Sequence, residues 1–114
     1  LGALLSGAAA RLAAVSETPR LDAEILLSEA VGVTRAKLLA SLRDTRPAEG
    51  FEAMIARRLN HEPIAYILGE WEFFSLPILC EAPILVPRPE TEHLVEAVLE
   101  FIGSKPARVA ELCT

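Results

Sequence analysis

The spacing of apolar positions divides the chain into regimes. From Ala3 to Leu59 apolar residues recur every three or four positions, the helical period. Ala3 to Ala14 is rich in Ala and Leu, contains no Pro, and predicts a first helix. Thr18-Pro19 opens a second, with Thr18 placed as its cap and Pro19 at the first helical position, where the missing N–H costs nothing. Leu21, Ile25 and Leu26 form its apolar side. Asp22 and Glu24 lie in the first turns, where the helix dipole favours acids, and Gly32 ends the helix. Thr34 caps a third helix with Leu38, Leu39 and Leu42 on its apolar side. Pro47 starts a fourth, with a stripe of Phe51, Met54, Ile55 and Leu59 opposite Glu49, Glu52, Arg57 and Arg58. Short loops between such helices suit a small bundle.

The period changes near His61-Glu62-Pro63. Ile64 to Leu68 is a short apolar piece closed by Gly69. Glu70-Trp71-Glu72-Phe73-Phe74 begins with the alternation of a half-buried strand, Ser75-Leu76-Pro77 offers a turn, and Ile78-Leu79-Cys80 a return strand. Pro83, Pro87 and Pro89 prevent regular pairing and mark an extended link. From Glu90 a helical stripe of Leu94, Val95, Val98, Leu99 and Ile102 faces away from Glu92, Glu96 and Glu100, with Gly103 as terminator. Ala107 to Leu112 then reads as a short apolar strand running to a potential turn, the way an α/β ligand-binding unit opens. The predicted fold is mainly α: a small helical bundle over 1–68, a β-hairpin and proline-rich linker over 69–89, and the first helix and strand of an α/β unit over 90–114.

Composition narrows this picture. At 52% hydrophobic and 24% charged, the 114 residues make a globular chain rather than a disordered one. With four Phe, one Trp and one Tyr, the core must be filled by Leu, Ala, Ile and Val. Residues 1–60 carry eight basic and seven acidic side chains, residues 61–114 three and nine, so the net charge of −5 is concentrated in the second half. That distribution argues against a nucleic-acid-binding face and for two different units. No apolar run approaches the roughly 20 residues of a membrane span, and Leu1 to Ala10 lacks the basic leader of a signal peptide. Because the first residue is not Met, a start upstream is expected.

The residues alone disclose no catalytic set. His61 and His93 have no Cys or His partners at metal spacing, and read as a helix-end residue and a solvated helix-face residue. Cys80 and Cys113 fit neither a CxxC pair nor a disulfide framework, and Cys80 reads as a small buried hydrophobe. No serine stands in a nucleophile elbow and no phosphate-binding glycine loop is complete.

A resemblance extends the reading. Arg58-Leu59-Asn60-His61-Glu62-Pro63-Ile64-Ala65-Tyr66-Ile67-Leu68-Gly69 resembles the Arg…Pro-x-x-Tyr-Ile-x-Gly segment of the release factor glutamine methyltransferases, the HemK/PrmC family. Glu72-Phe73 and then Ile84-Leu85-Val86-Pro87-Arg88-Pro89-Glu90-Thr91-Glu92-His93-Leu94-Val95-Glu96 continue the match in order. Val109-Ala110-Glu111-Leu112-Cys113-Thr114 looks like the strand and turn that the family follows with a glycine-rich cofactor loop. The likeness covers the last half of the chain, and a proline-bracketed Arg before Glu-Thr-Glu is a specific string.

The resemblance implies a cytoplasmic, monomeric enzyme that moves a methyl group from S-adenosyl-L-methionine to the side-chain amide of the glutamine in the Gly-Gly-Gln motif of peptide chain release factors. Its partner is the release factor, with no direct nucleic acid and no membrane. Residues 1–68 become the release-factor-docking bundle, and 90–114 the start of a truncated Rossmann-like methyltransferase domain. The Asn-Pro-Pro-Tyr motif that grips the amide is expected beyond Thr114, so the fragment is expected to dock substrate without catalysing. By position in the motifs, Glu111, Cys113, Thr114, Arg88 and Thr91 are implied as cofactor-binding, and Arg88 and Glu90 as bordering the substrate cleft. Cys113 stands where the family usually has Gly, which alters the expected turn. Arg88 also reads as a surface arginine pinned between prolines, and Thr91 as a helix cap. Trp71 and Phe73 read as packing the hairpin.

Two other readings compete. A free-standing helical protein-binding module without cofactor would need the chain to end naturally at Thr114. An unpaired apolar strand at that end counts against it. A related amide or nucleic-acid base methyltransferase shares the second half, but the helical first half and the Tyr-Ile-x-Gly segment favour the release factor branch.

Overall fold

Why the first sixty residues close into a bundle is visible in the second helix. In the computed structural model, which describes residues 1–112, helix α2 (Pro19–Val31) packs against α1 (Gly2–Leu12), α3 (Arg35–Ala40), α4 (Phe51–Leu59) and α5 (Ile64–Leu68). Leu5 and Leu12 of α1, Leu26 and Leu27 of α2, Leu38 of α3 and Ile55 of α4 are fully buried together, with Phe51 beside them. Each such side chain contributes about 1.5–3 kcal/mol on leaving water. Because α2 is surrounded, its buried face is wider than the stripe predicted for it. Leu21 is exposed and Ile25 half-buried, whereas Asp22 and Glu24, read as first-turn acids favoured by the helix dipole, are buried. Arg58 of α4 pairs with Asp22, and Arg35 of α3 and Arg20 of α2 itself with Glu24, which is what makes that burial tolerable.

Helix ends follow the local chemistry in part. Gly32 takes the left-handed conformation (φ 69°, ψ 39°), which lets the Val33 N–H reach back to the Ser28 carbonyl. The Thr34 hydroxyl accepts from the Lys37 N–H at 3.3 Å. Thr18 occupies the cap position of α2 but makes no side-chain cap bond, its hydroxyl lying 3.4 Å from the Asp22 carboxylate instead. Pro47 does not start α4. Gly50 adopts φ 77° in a turn ahead of Phe51, and the helix begins only after it.

Beyond Gly69 the strands β1 (Glu70–Phe73) and β2 (Leu76–Leu79) pair antiparallel, from Glu70↔Leu79 to Phe73↔Leu76. The turn is Phe74-Ser75, one residue earlier than predicted, with φ 50° and 59° in the mirror-image sense that matches strand twist. Pro77 lies inside β2 opposite Glu72. That pair is one step from the hydrogen-bonded pair beside the turn, a position where the missing N–H would point outward in any case. Cys80 falls just outside the strand, buried, with its N–H on the Gly69 carbonyl.

After the proline-rich link, α6 (Glu90–Ile102) has no buried residue, and Leu94 (62% exposed), Leu99 (52%) and Phe101 (93%) leave much of its apolar stripe in water. Residues 107–112 form no strand, against expectation. An apolar run becomes a strand only where its backbone groups pair with a neighbouring strand, and the one sheet among the described residues is the β1–β2 hairpin, which this run does not join. The architecture is therefore mainly helical with one two-stranded antiparallel sheet among the described residues. No helix in it is long and apolar enough to cross a membrane.

Candidate functional site

The site is built around the turn from α4 into α5. Two adjacent arginines at the end of α4 hold that turn. Arg58 Nε donates to Asp22 Oδ2 at 2.8 Å and its Nη1 to the Glu62 carbonyl at 3.3 Å. Arg57 Nε donates to Glu62 Oε2 at 2.8 Å, and its terminal nitrogens reach the carbonyls of Tyr66 and Ile67 at 3.2 and 3.3 Å. The hydrogen bond and charge of Glu62 push the Arg57 pKa up, and the same bond holds the Glu62 carboxyl below its ordinary range. His61, at φ 63°, completes the tight exit from α4. The turn delivers Pro63 to the start of α5, and Gly69, at φ 83°, ends that helix after a single short stretch.

Tyr66 then carries the link. Its hydroxyl donates to the carbonyl of Ile84, eighteen residues on, and so ties the proline-rich segment back to α5. Between them is a cavity of about 290 Å³ lined by Pro63, Ile64, Tyr66, Trp71, Val86 and Arg88, among others. Trp71 is half-buried and also touches the bundle core, so it joins hairpin to bundle rather than packing the hairpin alone. Arg88 stands exposed at this cavity, and no carboxylate among the described residues pairs with it.

A second concave surface of about 620 Å³ runs between α6 and residues 109–112. Phe73 from the hairpin, Thr91, Leu94 and Val98 from α6, and Val109 and Glu111 line it. The wall is apolar, with one hydroxyl and one carboxylate.

The implied site residues are thus divided. Thr91 and Glu111 share the α6 groove, Arg88 belongs to the cavity against α5, and Glu90, the exposed first residue of α6, lines neither. Thr91 is not the cap of α6, because Pro89 precedes the first helical residue and Thr91 is already within the helix. Cys113 and Thr114 lie outside the described residues. His93 stays on the solvated face, Nδ1 3.5 Å from Glu96. Sequence reasoning placed the arginine pair opposite the apolar stripe of α4 and missed what it holds, as it missed the tie from Tyr66 to Ile84. It also missed Glu92, whose Oε1 accepts the Phe74 N–H at 2.8 Å across the hairpin tip. The signal available for Arg58 was its place at the head of the Arg…Pro-x-x-Tyr-Ile-x-Gly segment.

Residues 3–69 match the model of the PrmC N-terminal domain. Among curated relatives, the release factor glutamine methyltransferase of Yersinia pestis is 45% identical over 96% of this chain and 41% of its own length. That of Nitratidesulfovibrio vulgaris is 42% identical over the whole chain and 40% of its own length. The relative of the same name from Escherichia coli K12 is 42% identical over 87% of the chain and 37% of its own length. The chain therefore spans about two fifths of the relatives it matches.

Proposed function

The chain belongs to the PrmC N-terminal domain family, and from that premise we propose that it is the front part of an S-adenosyl-L-methionine-dependent methyltransferase acting on the Gly-Gly-Gln glutamine amide of peptide chain release factors. Residues 1–68 dock the release factor, 69–89 link, and 90–114 begin a Rossmann-like cofactor domain. The observation that carries this reading is the match over residues 3–69, together with relatives of that name more than twice as long as this chain. The uncovered apolar stripe of α6 supports a further layer of structure over it. The full enzyme is a cytoplasmic monomer with no direct nucleic acid or membrane contact.

The chemistry explains why docking is a separate unit. An amide nitrogen is a poor nucleophile because its lone pair is delocalised into the carbonyl. It must be held in line with the methyl group and oriented by hydrogen bonds. Contacts far from the reacting atoms supply binding energy for that positioning. When bound, S-adenosyl-L-methionine supplies the electrophilic methyl group. Thr91 and Glu111 would offer it a hydroxyl and a carboxylate on the α6 groove, and Cys113 and Thr114 stand at the motif positions implied as cofactor-binding. Arg88 and Glu90 border the substrate side.

The test is methyl transfer from labelled cofactor to a purified release factor by the full-length protein, compared with this chain alone. Label on the Gly-Gly-Gln glutamine with the former, and none with the latter, is expected. A release factor retained by this chain on a column supports the docking role. Micromolar cofactor binding by the isolated chain would contradict the division of labour.

A further inference from the structure

The linker is fastened at two points, Tyr66 to Ile84 and Phe74 to Glu92, and the second is a contact to which the proposed activity assigns no role. In a two-residue hairpin turn the first central N–H points away from the ladder and has no partner within the hairpin. Here that N–H belongs to Phe74, is partly buried, and is satisfied by Glu92 Oε1 of α6 at 2.8 Å. Phe74 and Ser75 both hold positive φ without being glycine, so the turn persists only where its surroundings fix it. Phe73, next to the turn, lies on the groove that also holds Thr91 and Glu111. The tip of the hairpin is therefore pinned to the wall on which the implied cofactor residues stand, while Trp71 at the other end touches the bundle core.

We propose that Glu92 is a positioning residue that locks the hairpin tip to α6 and so fixes the orientation of the docking bundle relative to the reacting centre. The inference rests on the methyltransferase reading above. A tie of this kind matters for a substrate that spans both units. An intact release factor held by the bundle needs the lock, because the bundle then dictates where its glutamine arrives. A short Gly-Gly-Gln peptide that never touches the bundle does not need it.

The experiment compares Glu92→Ala, Glu92→Gln and unaltered full-length enzyme on both substrates, together with hydrogen exchange at the Phe74 amide. Glu92→Ala should lower kcat on the intact release factor about tenfold, the scale of one lost hydrogen bond to a charged group. Activity on the peptide should stay within about twofold, where loss of fold alone would lower both. Glu92→Gln keeps an acceptor oxygen and should recover most of the loss. The Phe74 amide should exchange faster in Glu92→Ala only. Unchanged kcat on the release factor, an equal fall on both substrates, or Phe74 exchange indifferent to Glu92→Ala overturns the proposal. An unaltered enzyme that labels neither substrate overturns the methyltransferase reading and this role with it, and the exchange comparison then still shows whether the pin itself exists.

Discussion

The guanidinium of Arg58 meets the carboxylate of Asp22 at 2.8 Å, joining the end of α4 to the first turn of α2, with both side chains mostly withdrawn from water (17% and 8% exposed). The same guanidinium holds the Glu62 carbonyl, so one side chain joins the centre of the bundle to the turn that aims α5 and Tyr66. Through Tyr66 and Ile84 that anchor extends to the link carrying Arg88. The bundle thus sets the course of the segment beyond it through three hydrogen-bonded side chains rather than through a large apolar interface.

Removing one partner of this pair leaves the other charge stranded. Arg58→Ala should destabilise the bundle by about 2 kcal/mol, below the full cost of breaking a wholly buried pair because Arg58 retains some solvent. Urea unfolding measures it. Asp22→Ala combined with Arg58→Ala should cost less than the two single changes added together, since neither charge is then orphaned. Strict additivity would mean that the contact contributes nothing.

Tyr66→Phe isolates the tie to the linker. The ring stays against the cavity and only the hydroxyl is lost, so the expected cost is about 1 kcal/mol, local to the link. The bundle midpoint in urea should barely move, while limited proteolysis between residues 81 and 89 should accelerate severalfold. A linker cleaved no faster than in the unaltered protein would show that the prolines alone set its path.

The bundle, the hairpin and α6 were legible because each rests on local signals: the three-to-four period, Pro and Gly punctuation, and alternation around Trp71. What escaped is what depends on contacts distant in sequence. Asp22 and Glu24 read as acids complementing the helix dipole, and only the packing of four helices around α2 buries them and brings Arg58 and Arg35 to them. Pro47 looked like a helix start, but Gly50 downstream takes a conformation that postpones the helix. The run from Ala107 to Leu112 has strand composition, yet composition cannot supply a neighbour to pair with. On the site side, the string from Val86 to Glu92 marked the region. It could not show that Arg88 and Thr91 would face different hollows.

Ser75→Gly probes the hairpin turn. Ser75 is exposed and held at φ 59°, where a Cβ is unfavourable by roughly 1–2 kcal/mol, part of which glycine's greater unfolded freedom offsets. A net gain of about 0.5 kcal/mol in hairpin stability is expected, read as slower amide exchange at Phe73 and Leu76. Faster exchange would indicate that the serine side chain contributes a contact of its own.

The Arg57–Glu62 pair makes a signed prediction about acid. The bond from Arg57 lowers the Glu62 pKa below its ordinary 4.5, so the native state binds that proton less readily than the unfolded chain does. The stabilisation is therefore present above the unfolded value and is lost as pH falls through the lower native one. Arg57, pushed upward by the same bond, stays charged throughout and adds no titration in that range. Glu62→Gln should therefore be less stable than the unaltered chain at neutral pH, and the gap should close as the solution is taken below pH 4.5. Both groups face solvent, so added salt should narrow the neutral-pH gap as well. Thermal midpoints of the two proteins across an acid series measure it, and a gap that stays constant through that range would assign the effect of Glu62 to packing instead of charge.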